Sequence, residues 1–241
     1  MNFYGFCARG CLNINEGIIK METEIKVILP FETEKEFFVE QLGEIEKKPV
    51  YDFFKRAFDI VVSLLALIVL CVPMLIISII IKCISPGNAF YCQERLGYLG
   101  KKINVIKFRT MYLDAEEDGA KWSEGDTDER IFPFGKLLRK FRLDELPQLW
   151  CILIGDMSIV GPRPERECFH NAFETYIHGF GERLKVKPGL TGHAQINGGY
   201  NLRPEEKVLY DVEYIKKRSF WFDLKIIFGT VKVVFTHEGA K

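Results

Sequence analysis

A run of 22 uncharged residues, Ile60 to Ile81, constrains the fold of this chain more than any other feature. As one α-helix the run would be about 33 Å long, enough to cross the hydrocarbon core of a bilayer. Pro73 lies past its middle, where a proline removes a backbone hydrogen bond and bends a helix. The run therefore predicts a membrane helix within residues 51–86, with a kink at Pro73.

The charges beside this run bear on its topology. Basic residues occur on both flanks, with Lys55 and Arg56 before the run and Lys82 and Arg95 after it. Because lysine and arginine concentrate on the cytoplasmic side of a membrane helix, both flanks are typical of the cytoplasm. A re-entrant helix that breaks at Pro73 and returns to the same face satisfies both flanks. A straight span that tolerates the proline is the alternative, and sequence physics alone leaves the two open.

The segment before the membrane helix is acidic. Residues 1–50 carry nine glutamates against six lysines and arginines, and we expect a partly ordered leader of unknown role. Within it, Lys26–Pro30 favours a short strand and Glu36–Leu42 a helical turn or two. Across the whole chain 33 acidic residues balance 33 basic ones, so nothing global indicates nucleic-acid binding.

The seven cysteines include no Cys-x-x-Cys pair. Several lie in apolar runs, which indicates reduced thiols used as small hydrophobic side chains on the cytoplasmic side of the membrane. A metal site formed by Cys7, Cys11 and a distant histidine is the alternative.

Residues 87–241 form a third part, which we expect to be the cytoplasmic catalytic domain. Short apolar segments separated by glycine and proline predict a small mixed α/β-type domain, mostly helical with short strands. The aromatic run Phe220–Phe235 fits an interfacial amphipathic helix or a core helix. The other predicted elements are strands at Ala89–Gln93 and Ile103–Phe108, a helix that starts at Asp114, and helices at Gly135–Phe141, Asp144–Leu153, Phe169–Phe180 and Pro204–Lys217.

Two adjacent carboxylates, Asp144 and Glu145, stand at the start of one predicted helix. Asp144 suits an N-cap and Glu145 suits the first turn, so helix stability alone would explain both. We also expect the pair to be exposed and ionised at a helix end that favours phosphate. One carboxylate could then attack phosphorus while the other holds a divalent metal ion.

Basic residues in other segments strengthen the second interpretation. Lys107 and Arg109 alternate along a predicted strand and should share one face. Arg139 precedes the carboxylates by about one helical turn, and a rigid Gly-Pro-Arg-Pro turn presents Arg163. Because guanidinium groups match phosphate oxygens in pairs, this set predicts a site for a diphosphate.

A glycine-rich segment, Lys187–Gly199, carries the polar amides Gln195 and Asn197. Its glycines would let the backbone approach a nucleotide closely. His193, in the same segment, is more often a packing or surface residue than a catalytic base, and it receives no role.

Motifs in a fixed order connect these segments. They are Phe54-Lys-Arg-Ala-Phe-Asp59, Gln93-Glu-Arg-Leu-Gly97, Lys107-Phe-Arg-Thr-Met111, Leu143-Asp-Glu-Leu-Pro-Gln-Leu149, Gly155-Asp-Met-Ser158, Val160-Gly-Pro-Arg-Pro164 and Pro188-Gly-Leu-Thr-Gly192. In this order they resemble the bacterial sugar transferases, the monotopic polyprenyl-phosphate phosphoglycosyl transferases, over about residues 51–236.

The resemblance implies a reaction on the bacterial inner membrane, with the catalytic domain on the cytoplasmic face. Asp144 would take a sugar phosphate from a UDP-sugar and release UMP, and Glu145 would hold Mg²⁺. Undecaprenyl phosphate, a polyprenyl phosphate, would then accept the sugar phosphate in the first membrane step of glycan assembly. Lys107, Arg139 and Arg163 would bind phosphate groups, and Asp211, which matches a further acidic position of the family, would be a substrate-binding residue.

Two positions depart from the family pattern. The family bends its re-entrant helix at a Ser-Pro pair, which here reads Val72-Pro73, and many members carry arginine where this chain has Gly199-Tyr200. Membrane lipid is an implied partner, and pairing into a homodimer is left open.

Two rival functions use other features. Asp126-Thr-Asp128 has the Asp-x-Asp form that holds metal in glycosyltransferases that release UDP instead of UMP. A non-catalytic membrane scaffold is the other rival, and the set of Asp144, Glu145, Lys107 and Arg163 argues against it.

Overall fold

The computed structural model describes residues 36–113, 115, 128–199 and 202–236. The predicted strand at Lys26–Pro30, Cys7 and Cys11, and the helix expected from Asp114 lie outside these ranges. Helices and strands follow in the order β1 (Phe37–Phe38), α1 (Pro49–Ile84), β2 (Phe90–Leu96), β3 (Lys102–Phe108), α2 (Pro133–Lys140), α3 (Gln148–Ile154), β4 (Ser158–Val160), α4 (Glu167–Glu174), β5 (Ile177–His178), β6 (Gly189–Thr191), α5 (His193–Ile196), α6 (Pro204–Lys217) and α7 (Phe220–Thr236). Short 3-10 segments lie at Tyr98–Gly100, Leu143–Glu145 and Phe180–Lys185.

The strands of the described residues form three two-stranded sheets. The antiparallel hairpin β2–β3 runs from Phe90 opposite Phe108 to Leu96 opposite Lys102. The pairs β4–β6 and β1–β5 are parallel. The predicted mixed domain, mostly helical with short strands, is confirmed.

Two predicted helices are wrong because long-range pairing decides their backbone. Within Glu36–Leu42, Phe37 and Val39 donate backbone hydrogen bonds of 2.7 and 2.9 Å to the segment around β5, so this segment is a strand. The helix expected over Phe169–Phe180 ends at Glu174, since the residues after it form β5. Neither pairing can be read from local periodicity, because the partners are more than a hundred residues apart.

Helix α1 packs along the rest of the domain through one stripe. Asp59, Ser63, Ile77 and Ile81 are its buried residues, and at about 100° per residue they share one face. Between them Leu70 packs against the hydrophobic core. Residues on both sides of Pro73 belong to this one helix, and the bend expected at that proline stays a prediction.

Both ends of α1 are fixed to the same domain. Near its start, Arg56 donates 2.7 and 2.8 Å hydrogen bonds to the last carbonyls of α3, and Asp59 accepts one of 3.0 Å from Ile159. Near its end, Ile81 is fully buried against Phe108 and Phe132. The whole length of the helix therefore lies against one side of the domain.

The opposite face of α1 is apolar and exposed. Among the described residues α1 is the helix long and apolar enough to cross a membrane, with a mean hydropathy of 3.2 over its best window. This exposed face is far larger than a soluble monomer usually presents and indicates a lipid or protein surface. Its members include Val61, Leu65, Ile68, Val69, Val72, Leu75, Ile76 and Ile79.

Helix α7 has one buried side and one exposed apolar side. Ile226 is fully buried in a core cluster with Tyr214, whereas Trp221 and Phe228 on the other side are 78% and 71% exposed. Asp223 is buried at its start, where it forms a 2.7 Å ion pair with Lys55 of α1. This polar contact joins α7 to α1.

Candidate active site

The carboxylate pair lies in the 3-10 segment Leu143–Glu145, not at a helix cap. Helix α3 begins only at Gln148, so the predicted helix starting at Asp144 and its N-cap role are both wrong. Arg142, immediately before the segment, adopts left-handed backbone angles (φ 54°, ψ 22°). Such a conformation is uncommon outside glycine, and here it turns the chain so that both carboxylates enter the domain.

Both carboxylates are buried, which corrects the expectation that they are exposed. Asp144 is 8% and Glu145 6% exposed. Arg163 binds both oxygens of Glu145, donating to Oε2 at 3.3 Å and contacting Oε1 more closely, and the Lys107 ammonium lies 3.5 Å from Oε1. Asp144 makes no comparable ion pair with any described residue. The two neighbours therefore differ, because Glu145 is ion-paired with two cations and Asp144 forms no such pair with a described residue.

This difference separates the acidities of the pair. Burial, together with the charge of Glu145, raises the pKa of Asp144 to about 6 from its ordinary 3.8, although Lys107, Arg139 and Arg163 oppose the shift. Burial acts on Glu145 in the same direction, but Arg163 and Lys107 together hold its pKa below the usual range. Asp144 is thus a more basic carboxylate than usual, beside one whose ionised form is stabilised by cations.

Glycine packing sets the position of Arg163. Its turn follows β4, and β6 runs parallel beside it, with Val160 opposite Thr191. A Cβ on Gly161 would lie 2.3 Å from the Lys187 carbonyl oxygen, and one on Gly189 would lie 2.1 Å from the Gly161 nitrogen. Gly189 and Gly192, both of which pack on Gly161, therefore admit the Arg163 turn, and this packing accounts for these two glycines without a nucleotide.

The other predicted cations, Lys107, Arg139 and Arg109, all line the pocket that the pair borders, but the Arg109 guanidinium is bound to backbone carbonyls. Arg139 lines the same pocket as Asp144 and donates from Nε to Thr110 Oγ1 at 2.9 Å. Arg109 is buried and donates at 2.7 Å to the carbonyls of Pro86 and of the preceding serine, just after α1. Its guanidinium holds the end of the membrane helix, so those nitrogens are not available to phosphate.

Three polar residues predicted from the later segments are placed differently from one another. Gln195 lines the pocket and donates to the Leu190 carbonyl at 3.0 Å. Asn197 is exposed, does not line the pocket, and donates at 2.8 Å to the carbonyl of His193. Asp211 is buried on α6 and does not line the pocket, but it forms an ion pair with Arg183, which does.

The carboxylate pair forms part of the wall of a pocket of about 380 Å³, in the range of small-ligand sites. Of the described residues, ten cationic and three acidic ones line it, and this positive excess suits a polyanionic ligand. The acidic residues are Asp144, Glu145 and Glu165, and the cationic ones are Arg95, Lys107, Arg109, Arg130, Arg139, Arg142, Arg163, Arg166, Arg183 and Lys207.

The donor set fits Mg²⁺ only if the substrate contributes. No group of three or more acidic, histidine or cysteine side chains that could hold a metal occurs among the described residues. Mg²⁺ usually binds one or two carboxylates, with phosphate oxygens and waters completing its shell. Asp144 and Glu145 can supply these one or two carboxylates, although the charge of Glu145 is already neutralised by Arg163 and Lys107.

The rival Asp-x-Asp motif is only partly described. Asp126 lies outside the described residues. Asp128 is buried, and Arg130 donates to its Oδ1 at 2.7 Å and pairs with its Oδ2 at 2.5 Å. Because both oxygens of Asp128 bind one arginine, this carboxylate is poorly suited to bind a metal ion. Asp128 therefore gives no support to the rival function, glycosyl transfer with release of UDP.

Arg142 and Arg183 are pocket residues that sequence reasoning missed. Arg142 looked like an ordinary helix-end residue, since no local signal marks its left-handed backbone. Arg183 lies in a segment predicted to follow a long helix, and only the fold brings it to the Arg163 turn. No sequence pattern could have found either position.

Comparison with known proteins decides the family. The profile described as "Bacterial sugar transferase" matches residues 50–237, which include the membrane helix and every pocket residue named above. The chain belongs to the bacterial sugar transferase family. The predicted resemblance is therefore confirmed.

Curated members of the bacterial sugar transferase family align over most of this chain. A UDP-N-acetylgalactosamine-undecaprenyl-phosphate N-acetylgalactosaminephosphotransferase of Aeromonas hydrophila is 38% identical, covering 83% of this chain and 48% of the relative. A UDP-glucose:undecaprenyl-phosphate glucose-1-phosphate transferase of Escherichia coli K12 is 39% identical, covering 84% and 46%. The chain thus spans about half the length of these relatives.

A shorter member aligns over nearly its whole length. The exopolysaccharide production protein ExoY of Sinorhizobium fredii is 35% identical, with 85% of this chain and 94% of the relative covered. The unit described here therefore corresponds to almost the entire length of one bacterial sugar transferase and to about half of larger ones.

Proposed function

We propose that this protein transfers a sugar-1-phosphate from a UDP-sugar to undecaprenyl phosphate and releases UMP. One observation carries the proposal: two adjacent buried carboxylates border a cation-lined pocket. Glu145 is ion-paired with Arg163 and Lys107, whereas Asp144 forms no ion pair with a described residue. The names of the relatives supply the donor and acceptor classes. The pocket supplies the positive charge that a diphosphate and a phosphate both require.

Asp144 is the proposed nucleophile. Its carboxylate oxygen forms a bond to the phosphorus that bears the sugar, and the bond from that phosphorus to the bridging oxygen breaks. The bridging oxygen keeps the electron pair and leaves as part of UMP. In the second half, an oxygen of the lipid phosphate attacks the same phosphorus and the aspartyl bond breaks, which regenerates Asp144.

Glu145 has a different proposed role because its charge is already engaged. Held by Arg163 and Lys107, it stays ionised next to the reacting phosphorus and orients both cations toward the phosphate oxygens. Mg²⁺ bound between Glu145 and the diphosphate would supply further charge neutralisation. Lys107, Arg139 and Arg163 bind the phosphate groups, and Gln195 lines the pocket beside them.

The proposed topology places the catalytic domain on the cytoplasmic face of the inner membrane. The stretch of α1 from Arg56 to Ile81 would span about 37 Å as a straight helix, longer than a bilayer core. Both ends of that stretch contact one domain, whereas a perpendicular crossing would carry one of them to the far side. A helix that enters and leaves on the same face fits these contacts, with the exposed sides of α1 and α7 in lipid.

A donor screen tests this function. The full chain in membrane vesicles or detergent receives undecaprenyl phosphate, Mg²⁺ and one of a panel of UDP-sugars, and released nucleotide is measured. We expect UMP with at least one donor, and Asp144→Asn should abolish it. Release of UDP would indicate ordinary glycosyl transfer, and absence of any release would favour a scaffold.

A further inference from the structure

Arg183 and Asp211 form a buried ion pair between two elements of the domain. Arg183 belongs to the 3-10 segment Phe180–Lys185 and Asp211 to α6, and they are 4% and 1% exposed. Arg183 Nη2 lies 2.8 Å from Asp211 Oδ2. Because two buried charges lose their hydration, such a pair stabilises a fold poorly compared with apolar residues of the same size. Its presence therefore calls for an explanation beyond packing.

The other contacts of Arg183 point to the Arg163 turn. The same Nη2 donates to the backbone carbonyl of Arg163 at 2.9 Å, and Nη1 lies 3.8 Å from a carboxylate oxygen of Glu165. The guanidinium also lies 4.9 Å from the centroid of the Phe180 ring. Arg183 is thus fixed by Asp211 and Phe180 and holds two residues of the turn.

The same turn is held from its other sides by backbone contacts. Leu96 donates to the Glu165 carbonyl at 2.9 Å and Gly189 to the Pro162 carbonyl at 2.8 Å. The Arg163 side chain leaves this clamped turn and binds Glu145. A continuous chain of contacts therefore runs from Asp211 through Arg183 to the backbone and then the side chain of Arg163.

We propose that Asp211 is a positioning residue that, through Arg183, fixes the Arg163 turn and with it Glu145, without itself contacting substrate. The catalytic effect rests on the proposed function, whereas the effect on the turn does not. This assignment replaces the substrate-binding role that the resemblance implied for Asp211. Without the Asp211 carboxylate, Arg183 is a buried guanidinium without its closest counter-charge and should leave the Arg163 carbonyl.

A double-mutant cycle tests the catalytic effect. We expect Asp211→Asn and Arg163→Lys each to lower kcat on the order of tenfold, and the double variant to be no slower than about the slower single one, since both act through Arg163. The matched control is Asp223→Asn, which removes another buried, cation-paired aspartate; its effect should multiply with that of Arg163→Lys. Multiplicative effects for Asp211→Asn, or a raised KM for UDP-sugar at unchanged kcat, would overturn the proposal.

Hydrogen exchange tests the effect on the turn without enzyme activity. In Asp211→Asn the amides of Leu96 and Gly189 should exchange faster than in the wild type, and in Asp223→Asn they should not. If Asp211→Asn fails to fold, Arg183→Lys takes its place in the test. This variant keeps the positive charge but loses the planar guanidinium, and it should likewise speed exchange at the amides of Leu96 and Gly189. Unchanged protection in both variants would overturn the proposal. If the wild-type protein releases no UMP, the proposed function is refuted. The exchange result would still decide whether Asp211 and Arg183 fix the Arg163 turn.

Discussion

At the scale of single residues, Asp144 and Glu145 are neighbours in sequence but not in environment. The cations that distinguish them come from β3 and from the turn after β4, so a local pattern could show the pair but not its burial or its division of labour. The structure brings the four predicted cations, Lys107, Arg109, Arg139 and Arg163, to the pocket that the pair borders. The Arg109 guanidinium, however, donates to backbone carbonyls, which the sequence did not predict.

His170 provides a prediction at the same scale. Burial lowers the pKa of His170 below its ordinary 6.5, and its Nδ1 atom is buried without a partner. Because the unfolded chain takes up the proton first, stability should be complete above pH 6.5 and fall as the pH drops below it, by at most about 1.4 kcal/mol per pH unit. His170→Phe should remove that part of the pH dependence.

Urea unfolding of the detergent-solubilised protein at pH 7.5 and 5.5 measures this pH dependence of the free energy of unfolding. The control is replacement of the half-exposed His178 by phenylalanine, which should leave the difference between the two pH values unchanged. A wild-type slope that survives in His170→Phe would contradict the account.

At the scale of elements, the sequence predicted best what local chemistry decides. Helix α6 covers Pro204–Lys217 as expected, because proline in its first turn and a capping contact between Arg203 and Glu206 define its start. Helix α1 was expected from its unbroken apolar composition. The strands β1 and β5 were not, because each exists only through its pairing with the other.

The two faces of α1 give a matched pair of variants. Ile81 is fully buried against the domain and Ile79 is 53% exposed on the opposite face. Ile81→Ala should cost about 2–5 kcal/mol, because it removes buried methyl groups and leaves a cavity. Ile79→Ala should change stability by no more than about 0.5 kcal/mol. Denaturant unfolding in micelles measures both, and equal losses would mean that α1 does not pack on the domain as described.

At the scale of the whole molecule, the account requires both ends of α1 on one side of the membrane. In an otherwise cysteine-free chain, Cys83 near one end and an introduced Lys48→Cys at the other should both react with an impermeant maleimide added to inverted vesicles. Cys71, exposed on the apolar face, should be protected by lipid. Reaction of the two end cysteines from opposite sides would establish a straight span.

The reaction itself is tested most directly by trapping its intermediate. Without lipid acceptor, the wild-type protein given a donor from the UDP-sugar screen should release at most one UMP per active site. Mass spectrometry should find a sugar phosphate on the peptide that contains Asp144, and undecaprenyl phosphate should remove it. Asp144→Asn should show neither UMP nor adduct. Unimpaired UMP release by Asp144→Asn, or an adduct on another residue, would contradict the central claim.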